Sequence, residues 1–358
     1  MNARTPLLAP VAGLPRPARP SLCVVVPVHN EIDVLPLFLE RLGAVLTVLP
    51  VVPEILFVDD GSCDGSLAWI ERAAVTDSRI GLLQLSRNFG KEAAMTAGLD
   101  HAEAELVVVM DADLQDPPEQ LPRMLDAWFQ GNDVVVMKRR SRNGDSPGKR
   151  IAAAVYYRLL ARVGEIPIPV DVGDFRLMSR RAVLALRSLP ERNRYMKGLF
   201  AWIGLPQVQL EFERPARAAG NTRWPLMKLI GLAADGLTSF SVLPLRFAGV
   251  AGMLAACFAL VMALVYAGKT VLFGDSVDGF PTLIVSIFFI GGLQLCGLGI
   301  LGEYVGRIYA EVKGRPVYLI RSINGKKVDR DAMHIGRSPA PAEESGPPDQ
   351  EKPAEPRP

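Results

Sequence analysis

"VVVMDADLQDPPEQ", residues 107–120, decides how this chain is read. Four apolar residues deliver three acids, Asp111, Asp113 and Asp116, within six positions. Carboxylates that close repel one another on a bare surface, so a positive partner belongs among them. A short apolar run closed by acids and prolines reads as a buried strand that ends at a polar site.

The same pattern recurs along the first half. "LCVVVPV" (22–28), "EILFVDDGS" (54–62), "IGLLQLS" (80–86), "ELVVVMD" (105–111) and "DVVVMK" (133–138) are strand-like. Helix-like stretches lie between them near 31–47, 64–75, 90–102 and 119–130. Continuous apolar strands alternating with helices give an α/β fold with a Rossmann-like, mostly parallel sheet covered on both faces. Ligands of such sheets sit beyond the carboxyl ends of the strands. The polar segments "PVHNE", "DDGSCDGS", "LSRNFGKE" and "DADLQD" fall there. No GxGxxG follows the first strand, which excludes the dinucleotide fingerprint.

The chain has 358 residues, 49% hydrophobic, and a net charge of only +2. That balance gives no global pull towards nucleic acid. The four cysteines form no CxxC pair, which argues against a disulfide framework and for a reducing compartment. Residues 1–20 read as a flexible Pro-rich lead-in, and 336–358 as a disordered tail.

Two segments, 247–268 and 279–302, carry no charge, and each exceeds the roughly 20 residues that span a bilayer. They predict a transmembrane hairpin over 247–302; a pair of buried helices in a soluble protein is the alternative. Arg246, Arg307, Lys313, Arg315, Arg321, Lys326 and Lys327 flank the pair and place both of its ends in the cytoplasm. A catalytic domain is then expected over 21–224 and a juxtamembrane interfacial helix over 225–246. Beyond the hairpin, 303–325 is expected to be amphipathic. There Tyr304, Val305, Ile308 and Val312, with Leu301 before them, repeat at three- and four-residue spacing.

Asp111, Asp113 and Gln115 alternate. If the chain stays extended past its strand, the three share one side and suit a hard cation, Mg²⁺ or Mn²⁺, that keeps substrate phosphates as further ligands. An acidic turn before Pro117 is the plainer reading. Asp59 and Asp60, at another strand end, can accept hydrogen bonds from ribose hydroxyls or a base N–H. Pro27, His29, Asn30 and Glu31 form the opposing wall. Ser62 or Asp64 reads equally well as a helix N-cap. Basic runs around Lys138–Arg139–Arg140, at 192–197 and at 214–223 read as a solvated face or as a surface for lipid phosphate.

"VVPVHNE", "VDDGSCDGS", "LSRNFGKEAAMTAGLDHA", "MDADLQDPPEQLP", "DVGDFRLMSR", "ERNRYMKGLFAWIG" and "LGEYVGRIYAEVKGRPVY" occur here in one order. Over residues 21–322 the chain resembles the polyprenyl-phosphate hexosyltransferases of glycosyltransferase family 2, the bactoprenol glucosyltransferase group above all. Its catalytic part is similar to dolichol-phosphate mannose synthase. The resemblance implies a GT-A fold with two membrane helices in the bacterial inner membrane. The catalytic domain and both termini would be cytoplasmic, and a homo-oligomer is allowed. It implies inverting transfer of a hexose from a nucleotide-sugar, UDP-glucose ahead of others, to undecaprenyl or another polyprenyl phosphate.

Carried over by position, Asp111, Asp113 and Gln115 hold the cation and the donor diphosphate. Pro27, Asn30, Glu31, Asp59 and Asp60 bind the nucleotide. Arg139, Arg150, Arg217 and Arg223 hold the acceptor phosphate. Catalytic roles fall to Asp174, Asp113 and Arg139. The chain departs from the pattern at His29, where Tyr or Phe is commoner, and in "RAAGNTR", where Thr222 and Arg223 replace Ser and Lys. Alternatives are the same chemistry with mannose, GlcNAc or aminoarabinose, a processive polysaccharide synthase, or a non-catalytic membrane scaffold. A QxxRW motif, which the synthase needs, is missing.

Overall fold

The computed structural model describes residues 16–140, 172–192, 194, 196–213, 243–273 and 279–327. Arg150, Arg217 and Arg223, most of the expected 225–246 helix and the 336–358 tail lie outside the described residues.

Among the described residues one sheet of nine strands organises the catalytic part, in the order β7-β5-β6-β4-β1-β2-β3-β8-β9. Its centre is four parallel strands: β1 (Ser21–Val28), β2 (Val52–Asp59), β3 (Ile80–Leu85) and β4 (Leu106–Val109). The helices α1 (Leu35–Val48), α2 (Ser66–Thr76), α3 (Lys91–His101) and α4 (Leu121–Phe129) alternate with them. These elements match the expected strands and helices within a few residues. Consecutive side chains of β1 point to opposite faces, so Val24 and Val26 enter one core and Cys23 and Val25 the other. The first core lies under α1 and α4, with Phe38 and Phe57 meeting edge to face at 6.3 Å. The second lies under α3.

That helix is built of small residues, and all seven positions from Ala93 to Leu99 are buried. Gly98 is the point of closest approach. A Cβ there would stand 2.2 Å from Val25 Cγ1. The helix therefore lies directly on β1 and β2.

Three features were not foreseen. β5 (Val134–Arg139) does not sit beside β4. Instead β6 (Val172–Ser179) inserts between them, antiparallel to both, and β7 (Gln207–Phe212) pairs parallel with β5 on its far side. Two short helices, α5 (Arg180–Arg187) and α6 (Met196–Trp202), follow β6. Ser179 caps α5 by accepting from Ala182 N.

The C-terminal part also departs from expectation. Two long helices, α7 (Leu243–Phe273) and α8 (Phe280–Val312), pack against each other. The amphipathic segment placed at 303–325 is not a separate element. Residues 303–312 continue α8 without a break, because nothing before Lys313–Gly314 stops the helix; Gly314 then turns the chain with φ +67°. The rest returns to the sheet, where β8 (Ile320–Ile323) pairs antiparallel with β3 and β9 (Lys326–Lys327) with β8. Among the described residues one stretch, Phe289–Val312, meets the length and apolarity needed to cross a membrane, and none of it is buried in the protein.

Candidate active site

The chain steps from β1 to β2 to β3 on one side and then returns to place β4 on the other side of β1. The crevice at the carboxyl ends of β1 and β4 is therefore the topological switch point, where sheets of this kind bind ligands. Pro27, His29, Asn30 and Glu31 leave β1 there; Asp59 and Asp60 leave β2, and Asp111 to Gln115 leave β4.

The first two segments are laced together. Asn30 takes a left-handed conformation, φ 57°, which asparagine tolerates better than most residues. Its N–H donates to Ser62 Oγ (3.0 Å), and its Oδ1 accepts from Cys63 N (2.8 Å). Glu31 N donates to Ser66 Oγ and Ile32 N to Asp64 Oδ2. Asp64 thus ties two loops together, and α2 starts at Ser66, behind Gly65, with no side-chain cap. His29 faces the backbone carbonyl of Asp60 through Nδ1 (3.0 Å), and its Nε2 meets the amide nitrogens of Asn30 and Asn88 at 3.2 and 3.0 Å. Amides donate, so Nε2 accepts and Nδ1 carries the proton.

Asp59 and Asp60 are adjacent but differently used. Both Asp60 oxygens accept backbone amides, from Phe89 (2.7 Å) and Gly90 (2.9 Å), which fixes the loop entering α3. Burial pushes the Asp60 carboxyl above its ordinary value, against the pull of those two amides. Asp59 is fully buried; its Oδ1 accepts from Ser62 N, while its Oδ2 has no hydrogen-bond partner. A buried carboxylate oxygen left without a donor is costly unless a ligand supplies one.

The acid-rich segment does not stay extended. β4 ends at Val109, Ala112 and Asp113 form a turn, and Leu114 adopts φ 60°. The alternation expected to align Asp111, Asp113 and Gln115 is therefore broken. Asp113, buried, accepts Gln115 N on Oδ1 (3.0 Å), and Asp116 accepts Asp111 N on Oδ2 (3.2 Å). Asp111 has a side-chain partner of its own. Its carboxylate pairs with Lys91 Nζ at 2.6 Å, and the same ammonium lies 2.7 Å from Asp174 Oδ2. Burial lowers the Lys91 pKa, but the carboxylates of Asp111 and Asp174 outweigh it, and the net shift is upward.

Asp174 comes from β6, the inserted strand, which delivers it to the same crevice. Arg176, two residues on, is fully buried. It donates to the carbonyls of Gly173 (2.7 Å) and Asp174 (3.3 Å) and lies 3.5 Å over the ring of Phe200. Burial pushes its pKa down to about 10, while Asp174 and Glu92 oppose the shift. Arg139, at the end of β5, lies against Gly173; a Cβ on that glycine would meet its Nη2 at 3.6 Å. Ten of the residues expected to form the site lie within the described structure. Asp111 and Asp174 share one ammonium, with Arg139 beside Gly173. Asp59 and Asp60 lie across the crevice, beside the loop of Asn30 and Glu31.

Lys91 and Arg176 were not foreseen. Lys91 carried a signal: a cation in the first turn of a helix opposes the helix dipole and calls for anionic partners. The later basic run is partly structural. The Arg192 N–H donates to the Glu311 carboxylate of α8 (3.0 Å) and its guanidinium to the Arg315 carbonyl, while Arg194 donates to the carbonyls of Leu186 and Leu189.

Two carboxylates converging on one positive point suit a hard cation, since Mg²⁺ is commonly held by one or two carboxylates and completed by phosphate oxygens. Among the described residues no three His, Cys, Asp or Glu side chains group closely enough to hold a metal on their own. The donor set therefore fits a cation brought with a phosphate ligand, not a self-contained metal centre.

The mostly parallel sheet thus carries acid-rich strand ends at its switch point. Residues 23–186 match the family model described as glycosyl transferase family 2. The chain is 44% identical over 304 residues to an uncharacterized glycosyltransferase of Synechocystis, covering 85% of this chain and 96% of the relative. It is 43% identical over 300 residues to the prophage-derived bactoprenol glucosyl transferase of Shigella flexneri, covering 84% and 97%. To the prophage bactoprenol glucosyl transferase homolog of Escherichia coli K12 it is 41% identical over 302 residues, covering 84% and 99%. The chain belongs to glycosyl transferase family 2. It is a glycosyltransferase with the GT-A fold.

Proposed function

We propose that this enzyme moves glucose from a nucleoside-diphosphate sugar to a polyprenyl phosphate, with inversion, at the cytoplasmic face of a bacterial inner membrane. The observation that carries this reading is similarity at above 40% identity, over nearly their whole length, to proteins named bactoprenol glucosyl transferase. The described residues supply support for the donor half of this reading. The buried, partnerless Asp59 Oδ2 suits a base N–H of the nucleotide, with His29, Asn30 and Pro27 on the facing side. Asp111, with Asp113 and Gln115 close in sequence, would hold Mg²⁺ or Mn²⁺ and the donor diphosphate. A cation bound there supplies positive charge to the departing diphosphate.

The acceptor is a phosphate monoester, largely dianionic at neutral pH because its second pKa is about 6. Little proton remains to be removed, so the protein's main task is to hold two anionic partners together. Arg139, with Arg150, Arg217 and Arg223, would take the acceptor phosphate. Asp174, already paired with Lys91, acts by position more than as a base.

The helices supply the membrane end. Met253, Phe258, Leu264, Phe289, Leu295 and Leu298 are all exposed along α7 and α8, apolar surface that water would not tolerate at this density. We read both helices as a hairpin through the bilayer, with the basic residues from Arg307 to Lys327 on the cytoplasmic side. The test is an assay with membranes carrying the enzyme, bactoprenyl phosphate and a panel of labelled nucleotide-sugars, with and without chelator. Glucose-lipid formed from UDP-glucose and abolished by chelator is the expected result. Transfer of another sugar alone, or full activity in excess EDTA, overturns the glucosyl or the metal reading respectively.

A further inference from the structure

Lys91 is placed where a lysine is least expected. It opens α3, so its charge opposes the positive end of the helix. Its ammonium nevertheless bridges Asp111 and Asp174, from two different strand ends, at 2.6 and 2.7 Å. The arrangement answers the question raised by the acid-rich segment: the positive charge in place beside Asp111 belongs to the protein itself. The charged end is packed between the two carboxylates, but the side chain as a whole keeps 43% of its surface accessible, and its flexible stem lets the ammonium move without moving the helix. Any divalent cation that takes Asp111 must compete with a charge already bound there.

We propose that Lys91 is the built-in counter-ion of the donor site. It holds Asp111 and Asp174 together in the ligand-free enzyme and gives up Asp111 when a divalent cation arrives with a nucleoside diphosphate. Its released ammonium then serves the diphosphate as a hydrogen-bond donor. The proposal rests on the reading of Asp111 as a cation ligand. Two consequences follow from charge alone. A free divalent cation binds weakly, because the ammonium must be displaced with no new anion to receive it. A nucleoside diphosphate strengthens cation binding beyond its own ligation, because it supplies that anion; the coupling is reciprocal, so the cation strengthens nucleotide binding equally.

The experiment measures Mn²⁺ binding to the detergent-solubilised full chain by the electron paramagnetic resonance signal of free Mn²⁺, with and without UDP. The proteins are the unaltered enzyme, Lys91→Met and Asp111→Asn. Without UDP, Lys91→Met should bind Mn²⁺ about tenfold more tightly than the unaltered protein, and UDP should add less to it. Its melting temperature should fall in chelator, where the two carboxylates face each other uncompensated, and recover in Mn²⁺. Equal Mn²⁺ affinity of the two proteins without UDP overturns the counter-ion role, while loss of binding in Asp111→Asn leaves the site reading standing. Mn²⁺ binding that survives Asp111→Asn overturns the site reading itself, and the proposal with it. If Lys91→Met does not fold, Lys91→Gln makes the same comparison. Failure of both to fold in saturating Mn²⁺ and UDP counts against the proposal, since the cation should then replace the ammonium.

Discussion

Gly98→Ala tests how closely α3 must lie on the sheet to keep Lys91 in the crevice. The added methyl would stand 2.2 Å from Val25 Cγ1 and 3.1 Å from Val58 Cγ2. Ordinary carbon contacts need about 3.5–4.0 Å, so roughly 1.5 Å must be found. Val25 is fully buried in the centre of β1 and, being β-branched, has little rotamer freedom, so the helix must retreat. Overpacking of this kind costs about 1–3 kcal/mol, and alanine regains about 1 kcal/mol of helix propensity over glycine. The net loss is then up to about 2 kcal/mol, a fall in melting temperature of a few degrees for a chain of this size. Thermal unfolding in detergent reads it directly. Val25→Ala opens the space that the added methyl needs. The double variant should therefore be more stable than the sum of the single losses by about 1 kcal/mol. Additive losses, or a single variant more stable than the parent, would refute the close approach, because alanine without the clash should only stabilise.

Two further outcomes follow from the site and a third from the loop that enters β3. Asp59→Asn should not lower the melting temperature and should weaken UDP binding by roughly 10- to 100-fold in calorimetry, the worth of one hydrogen bond to a charged acceptor. Asp174→Asn should keep a clear fraction of kcat; a fall of about 10²–10⁴ with loss of the acidic limb of the pH profile would make Asp174 a true base. The third concerns Asp77, whose hydrogen bonds from Arg79 hold its carboxyl below the ordinary carboxylate range. A depressed folded pKa contributes stability above the unfolded value near 4 and loses it as pH falls through the folded one. Asp77→Asn should flatten the acid side of the stability profile by less than about 1 kcal/mol, since the pair is partly exposed; an unchanged profile would remove the clamp's contribution.

Strands β1 to β5 were legible because each is a mostly apolar run closed by a polar segment, Pro27 to Asn30 at the end of β1 and Asp59 to Ser62 at the end of β2 among them, and a strand buried on both faces reads that way. β6 was not, because Asp174 and Arg176 interrupt it. The charges that hide it as a strand are the ones it delivers to the site. β8 falls inside a stretch that reads as amphipathic, since four residues around Arg321 are too few to show a period of two. The acids were legible as residue types but not as partners. Asp59 and Asp60 read alike in sequence, and only the amides of Phe89 and Gly90 separate a loop fastener from an available acceptor. Lys91 was overlooked because its partners lie 20 and 83 positions away, beyond any local pattern.

The return of the chain to the sheet after α8 bears on how the crevice is placed relative to the apolar helices. An edge strand such as β3 exposes unpaired backbone groups, and here β8 covers them with the segment that leaves the long apolar helix. Tyr318, nearly fully buried just before β8, donates its hydroxyl to Asp100 near the end of α3, at 2.9 Å. Glu311, near the end of α8, accepts the N–H of Arg192 ahead of α6, and Glu92 in the first turn of α3 accepts the N–H of Met196 that opens α6. Helix α3 is thus fastened at one end to the segment that follows the apolar helix and at the other to α6, while its first residue carries the ammonium of the donor site. A shift of α8 relative to the sheet would strain both attachments. The donor crevice is therefore held at a set distance from the apolar helices, which is what an enzyme needs if one phosphate arrives from water and the other stays at the end of a lipid.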